Sequence, residues 1–233
     1  IYVAIFIAAM AYGLACITIS AIRHVEEPGI LDDSSVFANL KSGLSVIKGS
    51  GLLIGVVILA ITAEAFGYGI TAIFPILADV GVFGVGALGL GIMNGAFGVG
   101  GVLGSIILAS LRTLDRLGVL LVTALMICGL LLLALSLSNY FYITVLIIGG
   151  LGLVMASYDT LSILIIQRTA PEGMRGRLTG VLVLTFGIGP AGHVALGVIT
   201  SAIGPALAIG ISAIIVISIT LLTFFIIKKL RSM

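Results

Sequence analysis

The placement of positive charge constrains this chain more than any other feature. All eleven Lys and Arg residues fall in four short polar segments, 23–48, 112–116, 168–177 and 228–231. Long apolar stretches separate these segments, and the remaining connections carry no Lys or Arg. If the stretches cross a bilayer, all four basic segments lie on one side, the asymmetry that orients membrane proteins with their positive loops inside. The sequence therefore predicts an all-α, polytopic transmembrane helix bundle. It is expected in the plasma (inner) membrane, with its C-terminus cytoplasmic.

Composition enters as a check on that reading. Hydrophobic residues make up 61% of the chain and charged residues 9%, where a soluble domain carries roughly 25% charged. So few charges cannot cover a surface in water, whereas a lipid bilayer supplies the apolar solvent. The net charge of +2 is spread over helix connections, so no nucleic-acid partner is expected. Cys16 and Cys128 lie far apart inside apolar stretches and are read as small buried hydrophobes, without disulfide or metal-ligand spacing. Neither a metal nor any other cofactor is expected. The chain is apolar from Ile1, with no initiator Met, basic leading region or small-residue cleavage site. A fragment lacking its true beginning is expected rather than a signal peptide.

A helix needs about 20 apolar residues to cross the hydrocarbon core. On that ruler seven spans fall at about 1–22, 51–75, 84–110, 118–137, 140–166, 178–202 and 205–227. Three divisions follow: a first helix over 1–22, a cytoplasmic linker over 23–49, and a six-helix bundle over 50–233. In the linker, Asp32, Asp33 and Ser34 are suited to capping a short helix. Val36, Phe37, Leu40, Leu44 and Ile47 then share one face, with Lys41 and Lys48 elsewhere. That pattern fits a helix resting on the inner membrane surface, a connection between two bundles, or both.

Glycines at Gly91, Gly95, Gly100 and Gly104, and at Gly187, Gly189, Gly192 and Gly197, have the small-residue spacing that lets helices approach closely in lipid. Two readings stand: ordinary packing, or smooth faces that let helices slide.

Ionisable groups inside the spans are few: Glu64, Asp159 and His193, with Asp79 near an outer boundary. Each costs roughly 2.5–3.5 kcal/mol at mid-bilayer, so each needs a cavity, a partner or a proton. Glu64 lies about 20 Å from the inner end of its span, with Thr62 and Tyr68 nearby. Removing a carboxyl from water disfavours its charged form, the condition for reversible protonation near neutral pH. A role in coupling or substrate contact stands beside that of a neutral structural carboxyl. Asp159, in the run Ser157-Tyr158-Asp159-Thr160, lies about 12 Å from its inner end. The two carboxyls therefore differ in depth by about 8 Å, which argues against a direct hydrogen bond and for a cavity lined by both at different levels. A tie from Asp159 to Arg168 is the alternative. His193 reads as a satisfied packing residue, Asp79 as interfacial, and Asn94 as either a helix–helix hydrogen-bonding group or a cavity residue.

Enzyme constellations are missing from the sequence. His24 and His193 are far apart and make no H-E-x-x-H, and there is no G-x-S-x-G and no P-loop. Lys228 and Lys229 lie at the inner end, not where a light receptor carries its Schiff-base lysine.

Three segments together resemble the C-terminal half of a major facilitator superfamily transporter. Leu111-Arg112-Thr113-Leu114-Asp115-Arg116-Leu117-Gly118 is similar to the family's G-x-x-x-D-R-x-G loop, with Ser110 and Leu111 where the loop glycine is usual. Gln167 closing a span, then Pro171 and Arg175-Gly176-Arg177 entering the next, is similar to the loop before the family's eleventh helix. Gly187-Ile188-Gly189-Pro190-Ala191-Gly192 is similar to the glycine-proline motif of antiporters, carried here by Gly189, Pro190 and Gly192. The exporter branch of enterobactin-type siderophore exporters and macrolide efflux proteins is the nearest in look.

The resemblance implies that residues 1–22 are the family's sixth helix, 23–49 its central linker, and the rest helices seven to twelve. Glu64 and Asp159 then lie on helices seven and ten, which line the central cavity; Tyr68, Tyr158 and Asn94 join them as candidates for a proton and substrate cavity. Asp115, Arg116, Arg175 and Arg177 take gating roles at the inner loops. The implied activity is export of small lipophilic molecules, such as drugs or siderophores, in exchange for protons, without enzymatic chemistry. The implied partners are the lipid bilayer, the small-molecule substrate, protons and a missing N-terminal half. Import or lipid flipping on the same fold, and a non-transporting membrane subunit or sensor, are the alternatives.

Overall fold

The computed structural model describes residues 2–21, 36–79, 81–110, 116–171 and 173–232. The chain divides into two compact units, Ile1–Ser35 and Val36–Met233. The candidate caps Asp32, Asp33 and Ser34, and the loop residue Asp115, lie outside the described residues.

The first unit contributes helix α1, Tyr2–Ser20, apolar along its whole length and without charge in its end turns. Its serine and threonine hydroxyls are satisfied within the helix: Thr18 donates to the carbonyls of Leu14 and Ala15, and Ser20 to that of Ile17. That is how polar side chains sit in an apolar helix without leaving unpaired donors. Cys16 is exposed on α1, not buried as expected. A helix bathed in lipid can present a thiol outward as readily as a methyl group.

The second unit holds α2 (Val36–Gly49), α3 (Gly51–Thr62), α4 (Phe74–Ala78), α5 (Gly86–Ser110), α6 (Leu117–Ser136), α7 (Phe141–Thr169), α8 (Arg175–Phe186), α9 (Gly189–Ile203), α10 (Pro205–Ile226) and α11 (Lys229–Ser232). Among the described residues there is no strand. Among the described residues six stretches are long and apolar enough to cross a membrane: Gly51–Ala78, Gly86–Ser110, Leu117–Ser136, Phe141–Thr169, Arg175–Ile203 and Pro205–Ile226. At 1.5 Å per residue they run about 30–44 Å, which fits a bilayer core of about 30 Å plus its interfaces. Their bounds follow the apolar stretches read from the sequence. The fold is thus a polytopic helical bundle, the form in which a spanning backbone can satisfy its polar groups within the membrane.

Glycine sets the tightest contacts. A Cβ at Gly100 would meet the carbonyl of Gly149, one at Gly104 the carbonyl of Leu153, and one at Gly152 the carbonyl of Phe97, so α5 and α7 touch backbone to backbone. Gly91 and Gly95, which share the same sequence spacing, face open space. Helix α6 packs against both α7 and α10, with Gly129 set against Ile217.

The described members of the basic segments gather at one end of this unit. Leu230 of α11 is fully buried, with its carbonyl against Gly118 and its side chain against Gly55. Helix α2 packs on α8 and α3. Over residues 41–49 its buried positions are Gly43 and Ile47, whereas Leu44 is 46% exposed. A Cβ at Gly43 would lie 3.1 Å from the carbonyl oxygen of Arg177. Ile47 of the expected apolar face is therefore buried against the bundle and Leu44 is not, with Gly43 beside Ile47 allowing the closest approach.

Candidate functional site

Two of the six spans are interrupted near their middles, and the interruptions meet. The first is Gly51–Ala78. Helix α3 passes at Thr62 into a π-helical turn, Ala63–Gly67, then a tight 3-10 stretch, Tyr68–Ile73, before α4 resumes. The local sequence accounts for this. Gly67 and Gly69 are weak helix formers, and Pro75 lacks the N–H that an α-helix would donate to the carbonyl of Thr71. Phe74 donates to that carbonyl instead, which is the tighter 3-10 pattern. π turns within α-helices occur frequently at functional sites, and this one carries Glu64.

The second interruption separates α8 from α9 at Gly187 and Ile188, with Pro190 in the first turn of α9. Gly189 and Gly192 press this break onto the π turn. A Cβ at Gly189 would lie 3.4 Å from Glu64 Oε2, and one at Gly192 only 2.5 Å from the Cα of Ala65. The glycine-proline motif and the membrane carboxyl, noted separately in the sequence, are one contact in the fold.

Helix α7 closes the site. Tyr68 donates its hydroxyl hydrogen to Asp159 Oδ2 at 2.5 Å. Glu64, Tyr158, Asp159 and Ser162 line one small cavity of about 10 Å³, walled by Leu182 and Phe186 of α8. That is room for about one water molecule. Among the described residues no hydrogen bond joins the two carboxyls directly, and they line the same cavity. Helix side chains tilt toward their own N-terminus. On spans that run in opposite directions, such tilts bring side chains at different depths toward a common level.

Glu64 is 9% exposed and Tyr158 2%, while Asp159 is half-buried. The Tyr158 hydroxyl and His193 Nε2 are buried without a hydrogen-bond partner among the described residues. The expectation of a satisfied packing histidine therefore fails for His193, which sits beside Gly69. Asp159 finds its partner in Tyr68 rather than Arg168, which is exposed at the far end of α7.

The other sequence candidates lie elsewhere. Asn94 is exposed on α5 and donates to the carbonyl of Leu90 on its own helix; it does not reach the cavity. Arg116 caps the start of α6 in a left-handed conformation, φ 60 and ψ 49, and is exposed. Arg175 begins α8 and is exposed, whereas half-buried Arg177 donates to Ser42 Oγ of α2 at 3.4 Å. Asp79 is exposed at the end opposite the basic segments. Sequence reasoning missed Ser162 and the π turn. Ser162 lies one α-helical turn beyond Tyr158, a spacing that could have found it; the only signal for the turn was Gly67, Gly69 and Pro75 in succession.

Interrupted spans that meet around buried ionisable groups are how secondary transporters build binding sites in a bilayer. The sequence matches the family described as transmembrane secretion effector over residues 1–233. The chain belongs to that family. It is accordingly a multi-pass membrane protein of major-facilitator type, a transporter or secretion effector embedded in lipid through its apolar helices. No curated protein and no solved structure matches this transmembrane secretion effector.

Proposed function

We propose that this chain is the C-terminal portion of a proton-coupled exporter of small lipophilic molecules such as drugs or siderophores. The observation that carries the reading is the meeting of the two interrupted spans at Glu64, with Asp159 on the same cavity and held by Tyr68. Two negative charges on so small a cavity repel strongly in a low-dielectric medium. Tyr68 donates to Asp159, and Glu64, which has no such donor among the described residues, is the group that takes and gives the proton. Substrate entering beside Glu64 then competes with that proton, and the competition shifts the balance of inward-open and outward-open states.

In this reading residues 1–22 form the sixth helix of the transporter, 23–49 its cytoplasmic linker and 50–233 its C-terminal bundle, and a further half supplies the opposing wall. The basic end of the bundle faces the cytoplasm across the inner membrane, as the positive-inside asymmetry requires. Asp115, Arg116, Arg175 and Arg177 act as gating residues at that end. Arg177 does so through α2, on which it already has a partner.

The test is efflux from cells carrying the complete transporter. Glu64→Gln is expected to abolish proton-driven efflux while leaving the protein in the membrane at wild-type level. Unchanged efflux with its pH dependence intact overturns the reading.

A further inference from the structure

A second apolar feature lies away from the carboxyl site, at the basic end of the bundle. Between α3 and the end of α10 runs an open groove of about 540 Å³, lined by Gly51, Ile54, Ile58 and Ile226 and ending at Lys228 and Lys229. Its walls are hydrocarbon and its mouth is cationic. Ile58 is 39% exposed and Ile226 75%, so the groove opens outward rather than into the bundle.

The groove is built, not incidental. Helix α10 stops at Ile226 and the chain turns before α11 begins at Lys229. Fully buried Leu230 pins the turn beneath α3 and α6. Arg231 folds back, donating to the carbonyls of Phe224 and Phe225 at 3.1 Å each and lying over both rings. That contact satisfies orphan carbonyls at the end of α10. With Leu230 and Arg231 fixed, Lys228 and Lys229 are set at the groove's mouth. Lys48, in the last turn of α2, precedes Gly51 by three residues.

We propose that this groove is a site for an anionic phospholipid of the leaflet that the basic end faces. One acyl chain lies along Ile54, Ile58 and Ile226, and the phosphate rests on Lys228 and Lys229. The fit is one of charge and depth together. Gly51 to Ile58 covers about 10 Å of helix, running inward from the interface, and lysines at a helix end place their charge at headgroup level. Basic pockets between spanning helices on the positive side are known to bind anionic headgroups. A zwitterionic lipid offers the same chain without the net charge, and a free phosphate the charge without the chain. The site does not depend on the proposed proton coupling.

The purified full chain in a neutral detergent is titrated with phosphatidylglycerol, phosphatidylcholine and inorganic phosphate. Bound lipid is read by native mass spectrometry and stability by the unfolding midpoint. Phosphatidylglycerol alone is expected to remain bound and to raise the midpoint. Lys228→Gln with Lys229→Gln is expected to weaken its binding roughly thirty-fold, from the usual contribution of each interfacial lysine. Gly51→Leu, whose side chain enters open space, is expected to displace the acyl chain with helicity and both lysines retained. Equal retention of phosphatidylcholine, displacement of lipid by inorganic phosphate, or wild-type binding in both variants overturns the proposal.

Discussion

The hydroxyl of Tyr68 donates to Asp159 Oδ2 at 2.5 Å, joining two spans at residues 91 positions apart in sequence. It leaves one cavity carboxyl with a fixed donor and the other, Glu64, without one among the described residues. In the proposed mechanism that asymmetry gives the two groups different tasks. A hydrogen bond to a charged group contributes about 1.5–3 kcal/mol, enough to decide where a shared proton resides.

Tyr68→Phe removes that donor and keeps the ring, including its edge-to-face contact with Phe97 at 6.1 Å. Efflux is expected to fall roughly ten- to hundred-fold and stability by about 1.5–3 kcal/mol, both from the strength of the lost charge-assisted bond. Transport and thermal unfolding measured on the same preparation check this.

The α5–α7 contact gives a prediction on stability alone. Gly100→Ala puts a methyl group on the Gly149 carbonyl and is expected to destabilise the bundle by about 1–3 kcal/mol, as overpacking does. Gly91→Ala, with nothing within 4 Å of the added carbon, is expected to be neutral or slightly stabilising, since alanine favours helix over glycine. Paired unfolding curves in detergent separate the two.

Asn94→Ala is expected to leave transport within error of wild type. Its amide is satisfied on its own helix, and exposed positions of this kind change stability by about 0.5 kcal/mol at most. A large loss of efflux would bring Asn94 back into the substrate path.

His193 is buried on its Nε2 side with that nitrogen unpartnered. If it only packed, an apolar substitute would be harmless or stabilising, because an unsatisfied buried group is costly. His193→Leu is expected to hold or raise the unfolding midpoint while lowering efflux. Both are read on the same variant.

The sequence made the spans legible because a bilayer imposes one rule on every stretch: about 20 apolar residues, with charge at the ends. Glu64 and Asp159 stood out for the same reason, as groups the medium penalises. What it hid were relations that depend on direction and on missing side chains. The hydrogen bond from Tyr68 to Asp159 joins two spans, which depth along the chain does not reveal. Gly91 and Gly100 look alike in spacing, yet only Gly100 meets a neighbour. The π turn at Glu64 was the least visible, since nothing in apolar periodicity distinguishes it from an α turn.

The most direct measurement is proton release on substrate addition, followed with an indicator dye in weakly buffered detergent solution of the complete transporter. Wild-type protein is predicted to release protons when substrate binds. Glu64→Gln is predicted to release none, while Asp79→Asn, altered at the exposed opposite end, releases the wild-type amount. Undiminished release from Glu64→Gln would contradict the account.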